Sequence, residues 1–101
     1  MEVLIINDPG GVILQHVFLG KQYAALGTKL AVKYCASACL SLLAQVPQTN
    51  ICFYPDAWIG YHTAAMRPNE AGICCVESPT TMRWERGRDW IARGYSDCRK
   101  T

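Results

Sequence analysis

Apolar and polar positions divide the chain into short blocks. "VLIIN", residues 3–7, is an unbroken apolar run of strand length that stops at "DPGG", a strong breaker. A run without alternation predicts a strand buried on both faces, as in a parallel sheet covered by helices. "VILQHVFLGKQYAALG" then sets Leu14, Val17, Tyr23 and Ala24 near helical spacing, with Gly27 as the stop. "KLAVKYC" predicts a second strand and "ASACLSLLAQ" a helix packed on the sheet. "TNICFY" predicts a third strand, "PD" a turn, and "AWIGYHTA" a fourth strand carrying His62. The stretch "AMRPNEAGICCVESPTT", with two prolines and a glycine, predicts a loop. "TMRWERGRDWIARGYSD" predicts a terminal helix with Met82, Trp84, Trp90 and Ile91 apolar and Gly94 as its end.

The order β-α-β-α-β-β predicts an α/β layered fold with a mostly parallel sheet and right-handed crossovers. At 101 residues the chain is a single domain spanning residues 1–101. A domain of this size buries roughly 65% of its unfolded surface, enough for one core.

Charge and cysteine content narrow the partners. Six of the ten basic residues lie in "MRWERGRDWIARGYSDCRKT", interleaved with three acids. That mixture predicts a solvated helix face rather than a nucleic-acid footprint, which needs a clustered basic stripe. The longest apolar run, "ACLSLLAQV", is too short to span a bilayer, so no membrane partner is expected. "EVLIIN" follows Met1 without a basic leader or cleavage site, so as written the chain is expected in the cytoplasm, or in the periplasm if it is a processed form. In a cytoplasmic setting the six cysteines read as reduced thiols packed as small hydrophobes. The spacings of Cys35 with Cys39 and of Cys74 with Cys75 match no zinc finger or ribbon, and neither a metal nor a cofactor is expected.

Three segments carry possible chemistry. In "DPGG", the glycines at a strand's C-terminal end allow backbone N–H groups to point at an oxyanion. Ser37, in "CASAC", stands at a strand-to-helix junction; a helix N-cap is the commonest role for such a serine. A nucleophile beside free backbone donors is the alternative, and the small neighbours Ala36 and Ala38 leave room for a substrate backbone. His62, in "IGYH", ends a strand. Parallel strands deliver their C-terminal ends to one sheet edge, which brings Ser37, His62, Gly10 and Gly11 together as candidates for serine and general base chemistry.

"INDPGG", then "CASAC" after a crossover helix, then "IGYH" twenty-five residues beyond the serine, resembles the ATP-dependent Clp protease proteolytic subunit and its relatives in the crotonase-like superfamily. "CASAC" is most similar to the periplasmic, bacterial and phage branch of that group. The similarity runs from Val3 to about Ala64, and "MRWERGRDWIARGYSD" resembles the family's final helix. The resemblance implies a truncated Clp-protease/crotonase-like α/β fold and a serine peptidase acting on a peptide or protein. It implies Ser37 as nucleophile, His62 as general base, the N–H groups of Gly11 or Val12 and of Ala38 as oxyanion hole, and Gly10 and Gly11 against the substrate.

The family's triad aspartate would fall near Thr81 and Met82, where no acid stands, which leaves Glu77 as the nearest carboxylate to orient His62. The family's N-terminal strand and helix and its long helical handle have no counterpart here, so a chamber of stacked rings is not expected. A homo-oligomer is, because "VLIIN" would otherwise leave an unprotected edge. Beside the peptidase stand two other readings: an inert oligomerisation or scaffold module that retains the fold, and a crotonase-type acyl-thioester enzyme.

Overall fold

The computed structural model of the chain describes residues 3–63, 66–67, 76–77 and 81–100. Strand β1 (Val3–Asp8) leads through the Pro-Gly-Gly turn into helix α1 (Ile13–Leu26), strand β2 (Lys29–Ala36) and the short helix α2 (Cys39–Leu43). Strand β3 (Ile51–Thr63) follows, then the two-residue strands β4 (Met66–Arg67) and β5 (Val76–Glu77), strand β6 (Thr81–Arg86), helix α3 (Gly87–Ala92) and strand β7 (Ser96–Asp97). The main sheet runs β1-β2-β3-β6. β1, β2 and β3 are parallel, β6 is antiparallel to the second half of β3, and β7 pairs in parallel with its first half. The α/β class and the mostly parallel sheet expected from the sequence are therefore present.

Two expected strands are one. β3 runs unbroken through "PD" because the intervening residues are absorbed as a bulge: Val32 pairs with Phe53 but Tyr34 already pairs with Trp58. Pro55, which has no N–H to donate, sits inside that bulge, where a ladder bond is not required of it. β3 thereby carries the centre of the core and the candidate base on a single element.

The core lies between this sheet and the helices. Leu30, Val32, Cys35, Phe53 and Ile59 from the strands meet Cys39, Leu42 and Leu43 of α2. Phe53 is fully buried, with the Trp90 ring stacked 5.3 Å away and the Tyr95 ring edge-on at 5.1 Å. An aromatic so enclosed contributes about 1.5–3 kcal/mol of transfer free energy.

The expected terminal helix is also corrected. Its first half is strand β6, and only residues 87–92 are helical. Met82, Trp84 and Arg86 stand directly across from His62, Gly60 and Trp58. A Cβ on Gly60 would lie 2.7 Å from the Trp84 ring and 2.8 Å from Met82 Cε, so the missing side chain is the space these two occupy. Cross-strand packing of this kind overrides the helical spacing of the sequence. Arg86 then closes the strand: its guanidinium stacks 3.9 Å over Trp58 and donates to the Asp56 carbonyl at 2.8 Å, while its N–H donates to Asp89 in the first turn of α3.

β1 is not buried on both faces. Ile6 enters the core, but Val3 and Ile5 are more than half exposed, because β1 is the sheet edge and no described element covers their face. α1 likewise buries only His16 and Gly20 and leaves Ile13, Leu14, Phe18 and Leu26 in solvent.

The four described cysteines are bonded, contrary to the reading as reduced thiols. Cys35 is joined to Cys39, and Cys52 to Cys98. The first pair starts at the end of β2 and closes on the first residue of α2, bracketing Ser37. The second ties β3 to the chain end, where Arg99 donates from its guanidinium and its backbone N–H to the Asp97 carboxylate and holds it below the ordinary carboxylate range. Cys74 and Cys75 lie outside the described residues.

Candidate active site

Ser37 is the residue after β2. Its backbone is left-handed, φ +57°, the only positive φ at a non-glycine among the described residues. A serine held there costs on the order of 1 kcal/mol and persists only where its surroundings enforce it. Two such constraints are visible. Its N–H donates to the Gly60 carbonyl at 2.8 Å, continuing the β2–β3 ladder by one bond past the strand end. The disulfide between Cys35 and Cys39 closes the chain across it.

The N-cap role does not hold. α2 begins at Cys39, the capping position falls on Ala38, and no side chain caps the helix. The Ser37 side chain is thus left out of the helix's hydrogen bonding. A serine on a strained strand-to-helix turn is the arrangement by which nucleophile elbows expose a hydroxyl. The sequence carried a signal for it that composition alone does not read: two small residues flanking the serine and two cysteines four apart around them.

The Pro-Gly-Gly turn lies directly against this elbow. Gly10 and Gly11 take φ of +105° and +146°. A Cβ on Gly10 would stand 2.8 Å from the Ala36 carbonyl oxygen, 3.0 Å from Ser37 Cβ and 3.4 Å from the Ala38 nitrogen. Glycine is required there by contact as well as by torsion. The Gly10 N–H is taken by Asp8 at 2.8 Å, so it is not a donor for substrate. The N–H groups of Gly11, Val12 and Ala38 make no hydrogen bond among the described residues. These unbonded donors belong to the two segments that meet where Gly10 packs on Ser37 and Ala38, and donors left free in this way are what an oxyanion requires.

His62 is exposed on β3, two residues beyond the Gly60 that binds Ser37, on the face shared with Trp58, Met82 and Trp84. Two residues along a strand advance about 7 Å. No hydrogen bond joins Ser37 to His62 among the described residues; in ligand-free sites such bonds are commonly long and close only around substrate.

No described carboxylate orients His62. Asp8 is engaged by His16, Glu85 by Arg93 and Asp97 by Arg99; Asp89 caps α3, and Asp56 stands six residues before His62 along β3. Glu77 lies in β5, whose backbone pairs with β4 in a separate two-stranded sheet. Its side chain is outside the described residues.

Beside the site, Tyr34, Trp58 and Trp84 line a shallow aromatic hollow, the Trp84 ring 5.7 Å from Tyr34 and 6.3 Å from Trp58. Trp58 and Trp84 are each 45% exposed. Among the described residues no helix is long and apolar enough to cross a membrane.

No family model, curated protein or solved structure matches the chain.

Proposed function

We propose that the chain is a Clp-protease-like serine peptidase domain in which Ser37 is the nucleophile and His62 the general base. The observation that carries the reading is the Ser37 elbow: a serine in left-handed backbone, bracketed by a disulfide, with the Pro-Gly-Gly turn packed on it and open N–H groups at Gly11, Val12 and Ala38. Ser37 Oγ adds to the peptide carbonyl carbon as its proton passes to His62. The carbonyl oxygen, now negative, accepts from Ala38 and from Gly11 or Val12. His62 returns the proton to the amine as the C–N bond breaks, and water releases the acyl group by the same steps. Each oxyanion donor supplies about 3–4 kcal/mol of transition-state stabilisation. The aromatic hollow at Tyr34, Trp58 and Trp84 supports a large apolar side chain as the preferred substrate group.

Two disulfides favour an oxidising compartment, and so the periplasmic alternative over the cytoplasm. The exposed apolar residues of β1 and α1 favour self-association, and they also support the second reading, an assembly module without catalysis.

Labelling with a fluorophosphonate, read by intact mass, separates the two. One adduct on Ser37 is expected, lost in Ser37→Ala and reduced at least a hundredfold in His62→Ala. A folded wild-type chain that takes up no probe would end the peptidase reading and leave the assembly module.

A further inference from the structure

His16 holds both ends of the Pro-Gly-Gly turn. Its Nε2–H donates to Asp8 Oδ2 at 2.8 Å, and its Nδ1–H donates to the Val12 carbonyl at 2.8 Å. Asp8 in turn accepts the Gly10 N–H on its other oxygen, also at 2.8 Å. The ring is 8% exposed, and its Cε1 lies 3.5 Å from where a Cβ on Gly11 would stand. One buried side chain therefore spans residues 8–12, with the two glycines looped around its edge.

We propose that His16 is the positioning residue of the oxyanion turn, a staple that fixes Gly10 against Ser37 and with it the open N–H groups of Gly11 and Val12. This rests on the peptidase reading for its function, though not for its geometry. Two consecutive glycines with positive φ have wide conformational freedom. Nothing in "DPGG" itself selects the arrangement found, and the bond from Asp8 to Gly10 fixes only the first half of the turn. The second half is held at the Val12 carbonyl, which accepts from the His16 ring at 2.8 Å and from the His16 backbone N–H at 3.2 Å.

The staple has a definite protonation state. A carbonyl and a carboxylate can only accept, so both ring nitrogens must carry hydrogen and the ring is an imidazolium. It cannot then take the Ser37 proton, which leaves His62 as the base. The Val12 carbonyl, and then Asp8, hold the His16 pKa above the ordinary histidine value against the opposing effect of burial. Among the described residues Asp8, from β1, is the charged group acting on the ring. α2 and the turn after it, packed on α1 one turn further along at Gly20, offer the Leu42 carbonyl and Gln45, both uncharged. The folded pKa is raised, so the staple is complete below the ordinary histidine pKa and is lost as pH rises through the raised one.

The test measures fluorophosphonate labelling of Ser37 against pH together with hydrogen exchange of the Gly10 amide and the ¹⁵N spectrum of the His16 ring. Wild type, His16→Gln and Asp8→Asn are compared. A glutamine cannot donate in both directions, so His16→Gln is expected to label about tenfold more slowly, with faster Gly10 exchange. Wild-type labelling is expected to fall again at alkaline pH as the ring loses a proton. Asp8→Asn is expected to remove that alkaline fall: its Oδ1 still accepts from Gly10, its amide donates to a neutral Nε2, and Nδ1–H still donates to Val12. Wild-type labelling rates and exchange in His16→Gln would overturn the proposal. If wild type takes up no probe at any pH, the peptidase reading fails separately. The staple is then decided by exchange and ring spectrum: a doubly protonated ring and faster Gly10 exchange in His16→Gln sustain it as a clamp on the turn, and a singly protonated ring or unchanged exchange overturns it.

Discussion

Gly10→Ala is expected to suppress probe labelling of Ser37 by on the order of 10²–10³, the loss that follows removal of an oxyanion donor. The new methyl would stand 2.8 Å from the Ala36 carbonyl and 3.0 Å from Ser37 Cβ, both parts of the elbow rather than yielding ends of flexible side chains. The backbone at φ +105° disfavours alanine independently. The turn must therefore retreat from Ser37 and carry its open N–H groups with it. The strain costs about 1–3 kcal/mol, within the 5–15 kcal/mol a domain typically holds, so the variant should still unfold cooperatively in urea. Gly11→Ala shares the torsional strain, at φ +146°, but not the clash, since the nearest atom there, His16 Cε1, is at an ordinary 3.5 Å, so the loss should be smaller. Wild-type labelling in a folded Gly10→Ala chain would show that the turn is not part of the reacting site.

The second large effect separates the two disulfides. Closure of a loop spanning 46 residues restricts the unfolded chain far more than closure over 4. The corresponding stabilisations are about 4 kcal/mol for Cys52 with Cys98 and about 2 kcal/mol for Cys35 with Cys39. Replacing Cys52 and Cys98 by serine should lower the urea midpoint strongly while leaving Ser37 reactive in the fraction that is folded. Replacing Cys35 and Cys39 by alanine should do the reverse: a modest fall in midpoint, and a loss of labelling as Ser37 relaxes from its left-handed backbone. Equal losses of labelling per folded molecule in the two pairs would show that the bridge around Ser37 has no special part in the site.

What the sequence revealed follows from how local each determinant is. Strand β1, helix α1 with its Gly27 stop and strand β2 are dictated by neighbouring residues, and the run, period and breaker were each readable. Gly27 indeed takes φ +67°, with its N–H bonded to the Ala24 carbonyl. β6 was misread because "MRWER" has apolar residues compatible with a helix, and only the empty space over Gly60, twenty-odd positions away, makes Trp84 and Met82 a strand face. Pro55 was read as a turn for a similar reason: a bulge that absorbs it depends on the partner strand. Ser37, Gly10 and Gly11 were found as a group because strand ends and breakers mark them. The role of His16 was not legible, since its two acceptors lie four and eight positions away in a turn whose shape the sequence does not announce. The redox state of the cysteines was inferred from compartment, and bonding depends instead on which sulfurs the fold brings together.

The bond between Cys52 and Cys98 has a topological consequence. It makes a closed covalent ring of the residues from Cys52 to Cys98, with His62, Met82 and Trp84 on its circumference. Ser37 hangs on an open arm, held to the ring by the backbone bonds between β2 and β3 and by side-chain packing. A peptide bond cut anywhere between the two cysteines linearises the ring without releasing a fragment, so such a nick leaves both halves of the site on one molecule. Disruption by heat or denaturant is different in kind. Loss of the pairing between β2 and β3 then parts Ser37 from His62 while the ring stays closed.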